Sequence, residues 1–298
     1  MSITSLHRMA WPLVFMGLWV ALVLQVGLAW WASRRSAPGW QAHAREWGRS
    51  WWRELQWAYR VLLWWQPFRA QTIPDGWPAE AETQCDKTGV VLVHGYLCNR
   101  GFWTPWMQRL ASEGRPFVAL TLDPPWAPIE AHAPALDAAV QKLQSLTGRA
   151  PLIVAHSMGG LVFRAWARAV GPQWGRCVGG VVTLATPHQG TWLARWSLTP
   201  NGRQMRPDSP WLADLAHSES GSIPVPVDAW LTVCDAVVFP AQAAVWPGAS
   251  THILRAEGHV SMAFAPEVWS QVRARLDALD KSPPAVVFSR RLAGGSQG

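Results

Sequence analysis

The stretch Leu152-Ile153-Val154-Ala155-His156-Ser157-Met158-Gly159-Gly160 decides how the chain is read. An apolar run of strand length passes through a tight turn holding a serine into a segment with helical spacing. Such a turn projects a hydroxyl at the strand end, with the positive end of a helix behind it to meet developing negative charge. Small residues must flank the serine so that strand and helix can approach, and Ala155, Gly159 and Gly160 supply them. The competing role for this serine is an N-cap on an ordinary strand-to-helix turn.

Working outward, short apolar runs alternate with helical stretches. Strands are expected at Gly89 to Val93, Pro116 to Leu122, Pro151 to Ala155, Val178 to Leu184 and Asp228 to Cys234. Helices are expected at Gly101 to Ser112, Ala131 to Leu146, Met158 to Val170 and Pro266 to Leu279. That alternation predicts an α/β fold with a mostly parallel central sheet and helices on both faces.

Two further places carry chemistry. Val91-Leu92-Val93-His94-Gly95-Tyr96-Leu97 is a strand followed by a glycine turn, placed to offer a backbone donor to an oxyanion. With the N–H that follows the serine, this nominates Tyr96 and Met158 as oxyanion donors, and His94 is read as a brace for the loop. After the serine, Asp235 follows an apolar strand and His259 lies in a turn before the last helix. The order Ser157, Asp235, His259 fits a nucleophile, an orienting acid and a base carried on successive strand ends. Asp228 is the rival acid, but it begins its strand.

These residues resemble the α/β-hydrolase superfamily, and within it the lipase and esterase branch with its Ala-His-Ser-Met-Gly turn. Thr186-Pro187-His188-Gln189-Gly190-Thr191 is also similar to a segment of bacterial lipases and of lipase-like GPI-inositol deacylases. The resemblance covers roughly Thr88 to Leu279. It implies an α/β-hydrolase fold and a serine hydrolase acting on carboxylic esters, with acyl esters of lipids as the expected substrates. Ser157 would be the nucleophile, His259 the base and Asp235 its orienting acid, with Tyr96 and Met158 as oxyanion donors and His188 structural. Acyl transfer or thioester hydrolysis on the same triad is the enzymatic alternative, and a non-catalytic membrane scaffold is the alternative of another class.

The N-terminal third departs from a secreted lipase. Met9 to Trp31 is about 23 residues with Gln25 as its one strongly polar side chain, long enough to cross a hydrocarbon core; a cleaved signal peptide is the competing reading, against which stand its length and the lack of a small-x-small pattern at Trp30-Trp31-Ala32. From Gly39 to Ala70 the spacing gives an amphipathic helix, with Trp40, Trp47, Trp51, Leu55, Ala58, Leu62 and Trp65 on one stripe and Arg45, Arg49, Arg53 and Arg60 opposite. Two readings of this helix stay open: packed on its own domain, or, because it adjoins an anchor and pairs an indole face with arginines, lying in the membrane interface. The expected organisation is an anchor at 1–36, an amphipathic helix and linker at 37–80, a hydrolase domain at 81–281 and a disordered tail at 282–298. Membrane contact is expected through residues 9–31 and 40–65.

Composition agrees with that layout. The chain has 298 residues, a net charge of +7 and 23 tryptophans, eleven of which precede Ala70. Arginine interleaved with tryptophan on a helix face argues for lipid headgroups and against nucleic acid. Arginines after the anchor outnumber the one before it, which expects a single pass through a bacterial-type inner membrane with the C-terminal domain on the cytoplasmic side. Cys85, Cys98, Cys177 and Cys234 have no metal-ligand spacing, and neither a cofactor motif nor a metal site is indicated. Residues 193–223 separate two core strands without strand patterning, as a lid or as surface helices.

Overall fold

The computed structural model of the chain describes residues 3–76, 86–219 and 223–283, except for the side chains of residues 3–16 and Leu18. Two helices come first, α1 (Ile3–Ser33) and α2 (Ala44–Ala58), and α2 runs on through a π-helical turn at Tyr59–Trp65. Strands and helices then alternate: β1 (Val90–Val93), α3 (Thr104–Ser112), β2 (Phe117–Ala119), α4 (Ala133–Thr147), β3 (Leu152–His156) and α5 (Met158–Val170). After β4 (Gly180–Leu184) come two short helices, α6 (Pro200–Gln204) and α7 (Pro210–Ser218), and then β5 (Val227–Thr232), β6 (Ser250–Leu254) and α8 (Pro266–Lys281).

The strands form one six-stranded sheet in the order β2-β1-β3-β4-β5-β6, and every neighbouring pair is parallel. Side chains on a strand alternate between faces, so β1 must satisfy two cores. Val91 and Val93 pack with α4 and α5 on one face, while Val90 and Leu92 pack with α3 and α8 on the other. That double burial is why the strands read as continuous apolar runs. The chain moves outward from β1 to β2 and then returns past β1 to β3. The crevice between the ends of β1 and β3 is therefore the switch point, where open parallel sheets bind ligands.

β6 has no counterpart in the strands expected from sequence. It is one of the two edge strands, and of Ser250 to Leu254 only Leu254 is buried, so the apolar run that marks the central strands is missing. The expected Pro116 to Leu122 strand shortens to three residues before the chain turns away. Residues 193–219 form short helices held to the domain: Tyr96 Oη lies 2.9 Å from Thr199 Oγ1, and Asn201 Nδ2 donates to the Pro125 carbonyl at 2.8 Å.

The amphipathic helix departs most from expectation. Its stripe is turned largely inward: Trp47, Leu55 and Ala58 are buried, and Trp47 packs with Val233, Cys234 and Phe239 of the α/β domain. α1 returns over the same helix, with Leu22 against Leu55 and Ala58, and Trp19 edge-on to Trp51. Polar contacts fix the docking, since Glu46 pairs with Arg255, Ser50 Oγ donates to the Cys234 carbonyl and Arg53 pairs with Glu257. The buried part of the stripe thus serves an intramolecular interface, the domain-packed reading of this helix, while Trp52, Leu62 and Trp64 stay exposed. Over the described residues no helix is long and apolar enough to cross a membrane. The first third of the expected span, residues 9–16, falls where side chains are not described. The expected boundary at 80/81 and almost all of the expected tail lie outside the described residues.

Candidate active site

Ser157 closes β3 and opens α5 with φ 54° and ψ −127°, a conformation that residues with a side chain seldom hold without a functional reason. Its N–H donates to the Leu184 carbonyl at the end of β4, at 2.8 Å. The turn is possible because Gly159 and Gly160 lack side chains. A Cβ on Gly159 would stand 2.6 Å from the Val93 carbonyl oxygen, and one on Gly160 would collide with the Thr186 hydroxyl. Helix and strand therefore approach as the sequence required.

The loop after β1 is pinned beside this turn. His94 is buried, with Nδ1 2.8 Å from the Gly95 carbonyl and Nε2 accepting from the Leu122 N–H at 3.0 Å. Burial pushes its pKa down to about 4, in keeping with a neutral ring that donates from one nitrogen and accepts at the other. The pinned loop lies against the serine: a Cβ on Gly95 would be 2.8 Å from Ser157 Cβ and 3.3 Å from Oγ. The Gly95–Tyr96 segment and the start of α5 at Met158 thus flank one hydroxyl.

Asp235 and His259 meet at the same end of the sheet. Asp235 Oδ2 is 2.9 Å from His259 Nδ1, and Oδ1 accepts the N–H groups of Val237 at 2.7 Å and Val238 at 2.8 Å. The two backbone donors fix the carboxylate, and the carboxylate fixes the ring with Nδ1 as its donor. Burial disfavours a charged His259, but the charge and hydrogen bond of Asp235, with the charge of Glu54, outweigh it and raise its pKa above the ordinary value. His259 joins the serine turn through backbone: His156 Nε2 donates to the His259 carbonyl at 2.9 Å, and the two rings are 4.7 Å apart. Among the described residues no hydrogen bond links Ser157 Oγ to the His259 ring. In unliganded sites such bonds often tighten only when substrate is bound.

The other candidates lie elsewhere. Asp228 sits early in β5, bonded to His252 Nε2 at 2.9 Å and Arg275 Nη2 at 2.6 Å, away from the strand ends that hold Ser157 and Asp235. His188 is buried with Nε2 3.1 Å from Thr183 Oγ1, its ring against Trp246. Among the described residues no cluster of His, Cys, Asp or Glu could hold a metal ion. Cys98 and Cys234 are unpaired, and burial pushes each thiol up to about 12; Cys85 lies outside the described residues. A cavity of about 540 Å³, lined by Thr88, Ala150 and Gly179 among others, opens at the opposite end of the strands, remote from Ser157.

Glu54 is a site residue that no sequence motif marks. This α2 residue is buried beside His259, with Val260 N–H donating to both its oxygens and Ser261 N–H to Oε2, each at 2.9 Å. Burial pushes its carboxyl up, while the Ser261 and Val260 donors and the His259 charge pull it down, and burial prevails. The Thr/Ser-x-x-Glu and triad patterns that locate functional carboxylates from sequence contain nothing resembling it.

No family model matches the chain, and no curated protein matches it in sequence. Solved structures do match. Aspergillus fumigatus lipase B is 19% identical with a TM-score of 0.57, over 70% of this chain and 56% of the lipase, so the chain spans little more than half of that protein. Bacillus licheniformis lipase BlEst2 in its mature form is 16% identical with a TM-score of 0.57, over 67% of this chain and 96% of the lipase. Its propeptide form matches at 16% identity and a TM-score of 0.55, over 73% of this chain and 54% of that one. What this chain shares with these lipases is the fold, an α/β architecture on a parallel six-stranded sheet.

Proposed function

We propose that the protein is a serine hydrolase of carboxylic esters, with lipid acyl esters as its substrates. The observation that carries the reading is the strained Ser157 turn at the switch point, beside the Asp235–His259 pair. In this reading His259 accepts the Ser157 proton as Oγ attacks the ester carbonyl, and Asp235 holds the imidazole tautomer and stabilises the imidazolium. The N–H groups of Tyr96 and Met158 receive the oxyanion. Collapse of the tetrahedral species expels the alcohol, which takes its proton from His259 and leaves an acyl-serine. Water, deprotonated by the same histidine, then releases the acid. The shared fold with lipases agrees with this chemistry.

The reading extends to a bilayer. The apolar Met9 to Trp31 segment is proposed as a membrane attachment through the face of α1 left exposed beside α2, and the arginines that follow it favour the inner-membrane, cytoplasmic-side arrangement. Exposed Trp19, Leu24, Trp30 and Trp31 on α1 and Trp52, Trp64 and Phe68 beyond it supply interfacial contact in place of the buried α2 stripe.

The test is hydrolysis of p-nitrophenyl esters by wild type and Ser157→Ala, with circular dichroism confirming the fold of both. Turnover in the wild type and its loss in the variant are expected. Equal turnover in the two would remove the assignment.

A further inference from the structure

From the contact between α2 and the His259 turn we infer that Glu54 is a positioning residue for His259, so that the N-terminal helix completes the active site. The inference rests on the ester-hydrolase reading above. The turn after β6 runs Glu257-Gly258-His259-Val260-Ser261, and the residues either side of the histidine are tied to α2 or to each other. Glu54 accepts the N–H groups of Val260 and Ser261, and Arg53 pairs with Glu257. Inside the turn, Gly258 N–H donates to Ser261 Oγ at 2.7 Å, and that hydroxyl donates to Glu257 Oε2 at 2.7 Å. His259 itself is held at one nitrogen by Asp235, but its backbone is set by these ties.

Three features separate this arrangement from ordinary helix docking. Both Glu54 oxygens accept N–H groups, the pattern of an ionised carboxylate, since an acid proton would have to point at a donor. An ionised carboxylate buried away from water is costly unless its bonds are all made, so apolar contact alone would have docked the helix at lower cost. The approach is also closed to a side chain: a Cβ on Gly258 would lie 2.5 Å from Glu54 Oε2 and 2.8 Å from Glu54 Cβ. Aromatic packing continues the contact to the serine side. Trp57 of α2 stacks on Phe264 at 4.3 Å, Phe264 meets Phe102, and Phe102 stacks on His156 at 4.4 Å. A displacement of α2 would thus be felt at the histidine and at the residue before Ser157.

The groups that face His259 are Asp235 and Glu54, both negative, and His156, whose pKa burial holds well below the ordinary value. The Glu257 charge is engaged by Arg53. Removing the Glu54 charge should therefore ease deprotonation of His259, whereas removing a purely structural tie would not.

The experiment compares wild type, Glu54→Gln and Glu54→Asp in the full chain, with p-nitrophenyl butyrate as probe and circular dichroism as the check on folding. For Glu54→Gln, kcat should fall about 10- to 100-fold with KM little changed, the loss expected when a reacting group is slightly misplaced. The acidic limb of its pH profile should move to lower pH. Glu54→Asp keeps the charge on a shorter stem, so it should lose kcat but hold the limb at the wild-type position. A folded Glu54→Gln with wild-type kcat and an unmoved limb overturns the inference. If Glu54→Gln loses its fold, undiminished kcat in Glu54→Asp overturns it. A wild type with no ester turnover overturns the hydrolase reading and this inference with it, whereas turnover that is indifferent to Glu54 overturns the inference alone.

Discussion

Asp235 and His259 stand 2.9 Å apart, carboxylate to Nδ1, in a setting where both are buried and Asp235 is fixed by two backbone N–H groups. The ring can do little but keep Nδ1 as donor, which leaves Nε2 free to work as a base. Asp235→Asn should therefore leave the fold intact while presenting the wrong hydrogen-bonding partner to the ring. A fall in kcat on the order of 10³- to 10⁴-fold is expected. Steady-state kinetics on a soluble ester checks it, and a loss below tenfold would place the orienting acid elsewhere.

In the proposed mechanism the same pair sets the pH dependence. A base must be neutral to accept a proton, and the His259 pKa is raised above the ordinary 6.5 because Asp235 and Glu54 outweigh the penalty of burial. Activity should thus be lost as pH falls through a value above 6.5, on the alkaline side of an unperturbed histidine. A pH profile of kcat/KM for the free enzyme reads this directly.

Asp228 gives the contrasting case. Held by Arg275 and His252 at the start of β5, it joins the last helix to the sheet edge. Asp228→Asn leaves the half-buried Arg275 guanidinium without its partner, and losing such charge-assisted hydrogen bonds costs on the order of 2 kcal/mol. Thermal unfolding should show a lowered Tm, with kcat of the folded variant close to wild type.

On the surface, Trp30 and Trp31 are both exposed, with Arg34 and Arg35 over their respective rings at 5.1 Å and 4.5 Å. Such paired aromatic and cationic groups suit an interface of apolar chains and anionic headgroups. The double variant Trp30→Ala, Trp31→Ala should bind more weakly to vesicles of phosphatidylglycerol and phosphatidylcholine in sedimentation, with soluble-ester turnover retained.

How much of this could be read from sequence depended on what each residue had to satisfy. β1 and β3 are buried on both faces, so their apolar runs were unmistakable, and the glycines after Ser157 announced a close approach that Val93 and Thr186 make real. β6 was illegible because an edge strand with exposed side chains need not be apolar. The α2 stripe was legible as amphipathic but not as to its partner, because a tryptophan face suits a protein groove and a bilayer equally. Glu54 was hidden for a related reason. Its donors, Val260 and Ser261, lie 206 and 207 positions away and offer only backbone N–H, which any sequence provides.

Ser157 is the residue on which the account turns. Treating the folded wild-type chain with a fluorophosphonate probe, followed by peptide mapping, asks whether its hydroxyl is an activated nucleophile. Covalent labelling at Ser157 is expected, lost in Ser157→Ala and strongly slowed in Asp235→Asn. A folded chain that remains unlabelled, or that is labelled at another residue, would contradict it.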